Sequence, residues 1–248
     1  RVRVRREGGR YRRQVDLQGL LRRRHHHQEG QEGLSQGRHG QGINPGEQTQ
    51  CTALRLFASF EHYIIRKELS FMLTTERLIL RKWTLEDAES LFEYARDPDV
   101  GPIAGWPAHQ SIEESRNVIE QVFHGPECYA VCEKGNNIAI GAVELMLNGH
   151  TDMTNRDDEC ELGYWLGKPF WGRGYMPEAA RELLRRGFEE LGMTTIWCGY
   201  YEGNQKSKRV QEKLGFEYHH TCDAVPVPLL NETRICHTNI MTKEMWEN

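Results

Sequence analysis

A glycine-rich turn is the part of this sequence whose residue types most directly suggest chemistry. Gly172 and Gly174 stand two residues apart, just before a helical pattern that begins at Tyr175. Glycine lets the backbone turn sharply and approach a ligand closely. The unpaired N–H groups at a helix start, with the helix dipole behind them, favour an anion such as a pyrophosphate. The spacing predicts a phosphate-binding turn, although the two glycines alone also fit a plain strand-to-helix connection.

Two other phosphate-binding patterns do not fit this turn. The third glycine of a dinucleotide-binding fingerprint would fall on Pro177, and no Gly-Lys-Ser/Thr sequence of a P-loop follows. The turn therefore predicts neither of these two nucleotide-binding classes.

Three blocks of sequence together carry a more specific signal. The run from Glu161 to Ala180 resembles the acetyl-CoA-binding motif of the GNAT N-acetyltransferase superfamily, and more narrowly its branch of ribosomal-protein N-acetyltransferases. The run 204–216, NQKSKRVQEKLGF, is similar to the family pattern N-x-x-S-x-R-V-x-E-K-x-G-F, and the opening run 73–81, LTTERLILR, is also typical. The blocks occur in the family's order across about residues 73–246. One departure is Pro169, where the superfamily often has Gln or Arg and this branch commonly has proline.

The resemblance implies an enzyme that transfers the acetyl group of acetyl-CoA, as a cosubstrate, to a primary amine, with no metal. It also implies that strand backbone pairs with the pantetheine arm of CoA and that amides of the glycine turn hold the pyrophosphate. Arg173 would add positive charge or be only a solvated side chain, and Asn204 would cap a helix or hydrogen-bond the cofactor arm. The predicted cofactor-binding residues are Leu166, Gly167, Trp171, Gly172, Arg173, Gly174, Tyr175, Met176 and Asn204.

Acetyl transfer needs a neutral amine, a stabilised oxyanion and protonation of the departing thiolate. The resemblance makes Ser207 the first candidate for the group that protonates or stabilises the thiolate, and a surface serine in a first helical turn is the alternative. Glu161 and Glu144 are candidates for the base, with Glu161 ranked first, because a carboxylate in a strand-like run is costly to bury without a function. Each could instead face solvent, and a water chain could replace a single base.

The acceptor amine is less well defined by the sequence. A protein N-terminus or another cationic amine is the first hypothesis, because the acidic balance after residue 71 favours cationic acceptors. A polyamine, amino acid or antibiotic is the second, and a non-catalytic acetyl-CoA-binding module is the third. Tyr164, Trp165 and Trp171 are interpreted as core aromatics rather than as part of the acceptor cleft. A homodimer is left open.

The hydrophobic pattern after Met72 predicts the elements that hold these residues. Strand patterns occur near 78–80, 128–133, 138–147, 161–166, 194–200, 216–222 and 234–242, and helical patterns begin at Thr84, Ser111, Tyr175 and Asn204. Thr84 with Asp87, and Ser111 with Glu114, fit N-terminal capping patterns. The order predicts an α/β (α+β) fold, in which helices flank a mixed, and by resemblance mostly antiparallel, GNAT-like central sheet.

Residues 1–71 differ in composition from the rest of the chain. They contain 14 of the 32 Lys and Arg residues and 7 of the 36 acidic residues, a balance of +7, whereas the other 177 residues carry 18 basic and 29 acidic groups, a balance of −11. Residues 1–50 have almost no apolar periodicity, so we expect a disordered or non-native leader, with one helix at 51–71, before an N-acetyltransferase domain at 72–248. Arg-rich arms can bind nucleic acid, but the acidic domain disfavours that function elsewhere.

The cysteines and the apolar runs indicate the cellular compartment of the protein. Seven cysteines, an odd number without a Cys-x-x-Cys pair, favour buried reduced thiols over a disulfide framework or a zinc site. A reducing compartment, most simply the cytoplasm, is therefore expected. The sequence has no apolar run of about 18 residues and no secretory signal, so no membrane association is predicted.

Overall fold

The computed structural model describes residues 72–248. The predicted leader at 1–71, including the helix at 51–71, lies outside the described residues. The domain boundary at Met72 therefore stays a prediction.

One sheet organises the described part of the chain. Within residues 72–248 its strands lie in the order β1-β2-β3-β4-β5-β6-β8-β7. Neighbouring strands are antiparallel, apart from β5 and β6, which are parallel. The strands are β1 (Leu73–Thr74), β2 (Leu78–Arg81), β3 (Cys128–Glu133), β4 (Ala139–Leu147), β5 (Glu159–Leu166), β6 (Thr195–Tyr201), β7 (Glu217–Val227) and β8 (Glu232–Thr242).

Helices cover both faces of this sheet. They are α1 (Ala88–Ala95), α2 (Gly101–Ala104), α3 (Ile112–Gln121), α4 (Tyr175–Arg185), α5 (Gln205–Leu214) and α6 (Lys243–Glu247). Short 3₁₀ turns at Leu85–Asp87, Lys168–Phe170 and Pro228–Leu230 connect them to the sheet. The mixed, mostly antiparallel sheet with flanking helices confirms the predicted fold class.

Helix α4 shows why the sequence folds in this way. Five residues at helical spacing form its buried face, and Leu183 and Leu184 are fully buried in the main core. Burial of a leucine side chain is worth about 1.5–3 kcal/mol relative to exposure. The opposite sheet face carries a second core with α1 and α3. The capping pattern predicted at Ser111 is present, because its hydroxyl accepts a hydrogen bond from the Glu114 amide at 3.1 Å.

The elements β1, α2 and α6 were not predicted from the sequence, and two predicted elements differ clearly in extent. The pattern at 175–191 predicted one helix, but α4 ends at Arg185 and continues as a π-helical turn over Arg186–Glu190. Gly187 approaches β6 so closely there that an added Cβ would stand 2.8 Å from Ile196 Cδ1. Strand β7 extends beyond the predicted 216–222 through Pro226, which is tolerated because β7 is an edge strand.

A gap between β5 and β6 is the feature that bears on function. The two strands pair only where Glu159–Glu161 face Thr195–Trp197, and no pairing is recorded beyond that point. The remaining residues of β5 stay paired with β4, and those of β6 with β8. The central sheet is therefore split at its parallel step, toward the end of β5.

Candidate active site

Backbone groups of β5 face the gap. Gly167 donates its amide hydrogen to the Ile140 carbonyl of the β4 side at 2.8 Å. Since the hydrogen-bonding direction alternates along an antiparallel strand, Leu166 directs its N–H and C=O away from β4 and toward the gap. The Leu166 carbonyl accepts a hydrogen bond from Trp171 Nε1 at 2.7 Å, which holds the following turn against the strand end. The Leu166 amide is thus directed toward the gap, where an extended ligand could pair with it.

The glycine turn presents a set of unpaired amides. Gly172 and Gly174 have φ of +77° and +79°, in the left-handed region that favours glycine. Within residues 72–248, none of the five amides from Gly172 to Met176 donates a hydrogen bond to a protein acceptor. Gly174 is the N-cap of α4, so these donors converge at the positive end of the helix dipole. The arrangement suits an anion with several oxygen atoms.

The turn between β1 and β2 contacts the glycine turn and holds it through a hydrogen bond from Arg77. Arg77 donates from Nη1 to the Arg173 carbonyl at 2.9 Å and from Nε to Glu178 Oε2 at 2.7 Å. Glu178 also accepts hydrogen bonds from the Arg77 amide and the Thr75 hydroxyl. Burial acts to raise the pKa of Glu178, but these hydrogen bonds and Arg77 hold that pKa below its ordinary value. The Arg77 guanidinium also lies 4.7 Å from the centroid of the Tyr175 ring.

Other side chains around the turn are exposed or packed on rings. Arg173 is exposed and lies 5.5 Å from the Phe170 ring centroid. Lys206 Nζ stands 4.2 Å from the Trp171 ring centroid, which brings a cation of α5 to the same turn. Met176 is a buried member of the predicted set, as Leu166 and Gly167 are, and its side chain packs into the main core.

A chain of hydroxyl and amide groups lies on the α5 side of the gap. Ser207 Oγ is 3.0 Å from the Tyr164 hydroxyl and accepts a hydrogen bond from Gln211 Nε2 at 3.2 Å. Gln211 also donates to the Gly199 carbonyl of β6, and it accepts from Asn239 Nδ2 at 2.8 Å. The Tyr164 hydroxyl is within 3.2 Å of the Ser207 carbonyl, to which it can donate. When the Tyr164 hydroxyl donates to the Ser207 carbonyl, the Ser207 hydroxyl donates to Tyr164; when Tyr164 donates to Ser207 Oγ instead, the Ser207 hydrogen is left for another acceptor.

Two further observations define this group. Burial raises the pKa of Tyr164 well above its ordinary value, so the phenol is protonated at neutral pH. Asn204 caps α5, because its Oδ1 accepts from the Ser207 amide at 3.1 Å, while its Nδ2 stands 3.5 Å from the Ile103 carbonyl. The capping interpretation of Asn204 is therefore correct for its oxygen, and its amide nitrogen, which donates one long hydrogen bond to Ile103, has a second hydrogen for a ligand.

The two candidate carboxylates lie on the other face of the sheet. Glu144 is opposite Gly163 in the β4–β5 register and Glu161 is opposite Met146, so the two side chains share a face. Trp165 follows the same alternation and packs in the core formed with α1 and α3. Tyr164 packs against the α4-side core. The hydroxyl chain and the carboxylates are therefore separated by the sheet, and the gap is where groups from the two faces can meet.

Glu144 is the more perturbed of the two carboxylates. Burial, together with the nearby charge of Glu161, raises the pKa of Glu144 to about 7, against the opposing influence of Cys128 and Lys82. Its Oε1 lies close to the backbone at Gly125, where an added Cβ would stand 2.8 Å from it. A carboxyl group with such a pKa exchanges a proton near neutral pH. Glu161 accepts a hydrogen bond from the Thr151 hydroxyl in the loop that connects β4 and β5.

Comparison with known proteins decides which family this site belongs to. A sequence model described as the acetyltransferase (GNAT) domain matches residues 77–217, more than half of the chain. The chain belongs to the GNAT acetyltransferase family. The predicted resemblance is thereby confirmed, and proteins of this family use acetyl-CoA as the acetyl donor.

Individual relatives agree with this membership. The uncharacterised N-acetyltransferase p20 of Bacillus licheniformis is 29% identical over 150 residues, which cover 58% of this chain and 82% of p20. YdaF of Bacillus subtilis is named provisionally as a ribosomal N-acetyltransferase. It is 40% identical over 77 residues, which cover 31% of this chain and 41% of YdaF. A GNAT-family acetyltransferase crystal structure from Bacillus anthracis matches with a TM-score of 0.61 and 25% identity, over 70% of this chain and 99% of that one.

The glycine turn and the end of β5 fit acetyl-CoA, the acetyl donor that the GNAT family uses. The five unpaired amides and the free edge at Leu166 match a diphosphate joined to an extended, amide-containing arm. Sequence reasoning overlooked three members of the site, namely Arg77, Tyr164 and Gln211. Tyr164 was assigned to the core, although its parity with Leu166 along β5 was a usable signal. Gln211 lies four residues after Ser207, on the same face of a helix.

Metal-binding clusters and membrane-spanning helices are both absent from the described residues 72–248. Among residues 72–248, no cluster of three His, Cys, Asp or Glu side chains is arranged to hold a metal ion. In the same residues, no helix has both the length and the apolar character needed to cross a bilayer. The described cysteines are free thiols, and burial raises the pKa of Cys160 to about 12 and that of Cys132 to about 11.

Proposed function

We propose that this GNAT domain acetylates a cationic primary amine, with a protein N-terminus as the first candidate acceptor. The observation that carries the proposal is that one domain holds two features. Among residues 72–248, the five amides from Gly172 to Met176 have no protein acceptor, and a carboxyl group with a pKa of about 7, Glu144, lies on the sheet face opposite the hydroxyl chain. Family membership supports acetyl transfer itself, and the acceptor is the part that we infer.

The cofactor would be bound mainly by backbone groups. The amides from Gly172 to Met176 would hold the pyrophosphate, and Leu166 and Gly167 would lie along the pantetheine arm. Trp171 would act through its indole N–H, which fixes the Leu166 carbonyl, because its backbone amide already donates to the Lys168 carbonyl. Arg173 is close enough to add charge, and Asn204 retains its amide nitrogen for the arm. Acetyl-CoA supplies the activated acetyl group, and the chain orients it.

Ser207 would assist the departing thiolate. Its hydroxyl accepts from Gln211, and when the protonated Tyr164 also donates to it, Ser207 can donate its own hydrogen into the gap. The chain of donors can then deliver or share a proton with a sulfur anion as charge develops there. Tyr164 is the second donor in this proposal, and Gln211 is a positioning residue.

Glu144 would accept the proton of the incoming ammonium group. Its pKa of about 7 lies closer to neutral pH than that of an ordinary carboxyl, which is the condition for efficient general-base catalysis. Glu161 would then act as a second negative charge that attracts the cation and keeps the pKa of Glu144 high. This proposal reverses the order given by the sequence, in which Glu161 came first.

The negative charge of the domain favours a cationic acceptor, and it does not distinguish a protein acceptor from a small molecule. The balance of −11 after residue 71 and the two carboxylates on one sheet face both attract amines. The name of YdaF supports a protein acceptor by analogy. A cytoplasmic location accords with the free thiols of the described residues, and we infer it on that ground.

The test is CoA release by the full chain from acetyl-CoA with a panel of amines. The panel contains short peptides with free N-termini, the same peptides with blocked N-termini and free lysine, polyamines, and single amino acids. Turnover only with free N-terminal peptides supports the proposal. Turnover only with polyamines or amino acids would identify a small-molecule enzyme, and acetyl-CoA binding without turnover on any amine would contradict catalysis.

A further inference from the structure

Arg77 occupies a position that the acetyl-transfer mechanism above does not use. It lies in the turn between β1 and β2, and its guanidinium bridges the glycine turn and the first turn of α4. Nη1 donates to the Arg173 carbonyl at 2.9 Å, while Nε and Nη2 contact the Glu178 carboxylate at 2.7 and 2.6 Å. Nη2 also stands near Gly174, where an added Cβ would be 3.4 Å away. One side chain therefore ties the glycine turn to the first turn of α4.

The geometry of the peptide bond gives this contact a consequence. In a planar trans peptide the C=O and the following N–H point in opposite directions. Because Arg77 holds the Arg173 carbonyl, the Gly174 amide hydrogen is directed away from Arg77. That amide is one of the five donors without a protein acceptor among residues 72–248. Glycine at φ +79° is free to rotate this peptide plane unless something outside the turn fixes it.

We propose that Arg77 is a positioning residue for the pyrophosphate site, which orients the amide of Gly174 through the Arg173 carbonyl. Glu178 anchors the guanidinium for that task and is itself fixed by the Thr75 hydroxyl and the Arg77 amide. The inference rests on the proposed binding of acetyl-CoA at this turn. It assigns a function to the β1–β2 turn, which is remote in sequence from both binding blocks.

A simpler alternative is that Arg77 attracts the phosphates by charge. The Glu178 carboxylate, 2.6 Å from Nη2, neutralises that charge locally. The two explanations predict opposite effects of Glu178→Gln. Loss of the carboxylate would strengthen binding if the charge of Arg77 acted on phosphate directly. It would weaken binding if Arg77 must be held in place, since the Gln side-chain amide cannot accept on both of its atoms.

The experiment measures the Kd of CoA by titration calorimetry with the full chain and four variants. We expect Arg77→Ala, Arg77→Lys and Glu178→Gln each to raise Kd about tenfold, the usual effect of losing a hydrogen bond to a charged group. Lysine does not rescue binding because one ammonium cannot bridge the carbonyl and the carboxylate in the same way. Arg185→Ala, which removes an arginine that pairs with Glu182 and Glu190 at the other end of α4, is the matched control and should bind as the parent does.

Two further readouts separate positioning from loss of structure. At saturating acetyl-CoA, kcat should stay within about twofold of the parent in the Arg77 and Glu178 variants, because only ground-state binding of the cofactor changes. Dephospho-CoA, which keeps the pyrophosphate but lacks the 3′-phosphate, should lose the same factor as CoA. A loss confined to CoA would place Arg77 on the 3′-phosphate and overturn the inference.

The outcomes also separate this inference from the proposed function. If the unsubstituted protein does not bind CoA, both proposals are wrong. If it binds CoA and Arg77→Lys binds equally well, or if Glu178→Gln binds more tightly, the positioning role alone is wrong.

Discussion

At the scale of single residues, Glu144 combines a functional advantage with a cost in stability. Its ordinary pKa of 4.5 is raised to about 7 in the folded chain, chiefly by burial. The folded state therefore binds this proton more tightly than the unfolded state does. The stabilisation from this group is complete below about pH 4.5 and is lost as the pH rises through about 7. At pH 8 the folded protein holds a poorly solvated charge beside a second carboxylate.

We expect Glu144→Gln to lower activity and raise stability. The rise of kcat/KM with pH, centred near 7 in the parent, should flatten, because the group that titrates there is absent. The free energy of unfolding should rise more at pH 8 than at pH 4, by at most about 3 kcal/mol, and the melting temperature should rise with it. Rate profiles and calorimetric melts check the two effects. Glu161→Gln is the comparison, and a profile unchanged by Glu144→Gln would exclude Glu144 as the base.

Ser207 gives a second prediction at this scale. Ser207→Ala should lower kcat about 10²-fold, the usual loss for one positioned donor, while the Kd of acetyl-CoA stays nearly constant. Steady-state kinetics and binding titrations separate the two quantities. Ser90→Ala, which removes a hydroxyl that donates to the Asp87 carbonyl near the start of α1, is the control. A large loss of affinity with normal kcat would make Ser207 a cofactor ligand instead.

At the scale of elements, the glycine turn and α4 act as one unit. Gly174→Val forces a branched side chain into the left-handed region and should displace the amides of the turn, which abolishes the thermal shift caused by acetyl-CoA. Gly192→Val is the matched control, because Gly192 has φ +73° with no atom within 4 Å of an added Cβ. Thermal denaturation with and without acetyl-CoA checks both. A full shift in folded Gly174→Val would place the pyrophosphate elsewhere.

The elements also mark how far sequence reasoning reaches. Local signals were sufficient for the position of the glycine turn and the start of α4, where glycine spacing, a helix start and an apolar stripe coincide in one stretch. The contact of Arg77 with Glu178, 101 residues apart, has no local signal, because it depends on how β1 and β2 pack against α4. The pKa of Glu144 was equally hidden, since its strand pattern fits a buried carboxyl and an exposed one alike. The split between β5 and β6 was not predicted, and the family resemblance implied only that strand backbone pairs with the pantetheine arm.

At the scale of the whole molecule, the charge difference between residues 1–71 and the rest motivates a truncation. A protein that starts at Met72 should fold and should gain about 2.7 kcal/mol of stability at acetyl-CoA concentrations of 100 times Kd, as the full chain does. The described core is built from residues after that point. Calorimetric melts of the two proteins provide the measurement. Failure of the shorter protein to fold would make residues 1–71 an integral part of the domain.

The placement of the hydroxyl chain and the carboxylates on opposite faces of the sheet has a consequence for kinetic order. A donor bound from the α5 side and an amine bound from the carboxylate side do not block each other's entry. Neither substrate must leave before the other arrives. Double-reciprocal plots of the initial rate, measured at several fixed concentrations of the second substrate, should therefore intersect rather than run parallel. A covalent acetyl-protein is not required on such a route, and Cys160 and Cys198, whose pKa values are raised by burial, are poor nucleophiles for forming one. The split sheet would thus let the two substrates add in either order and meet directly at the gap.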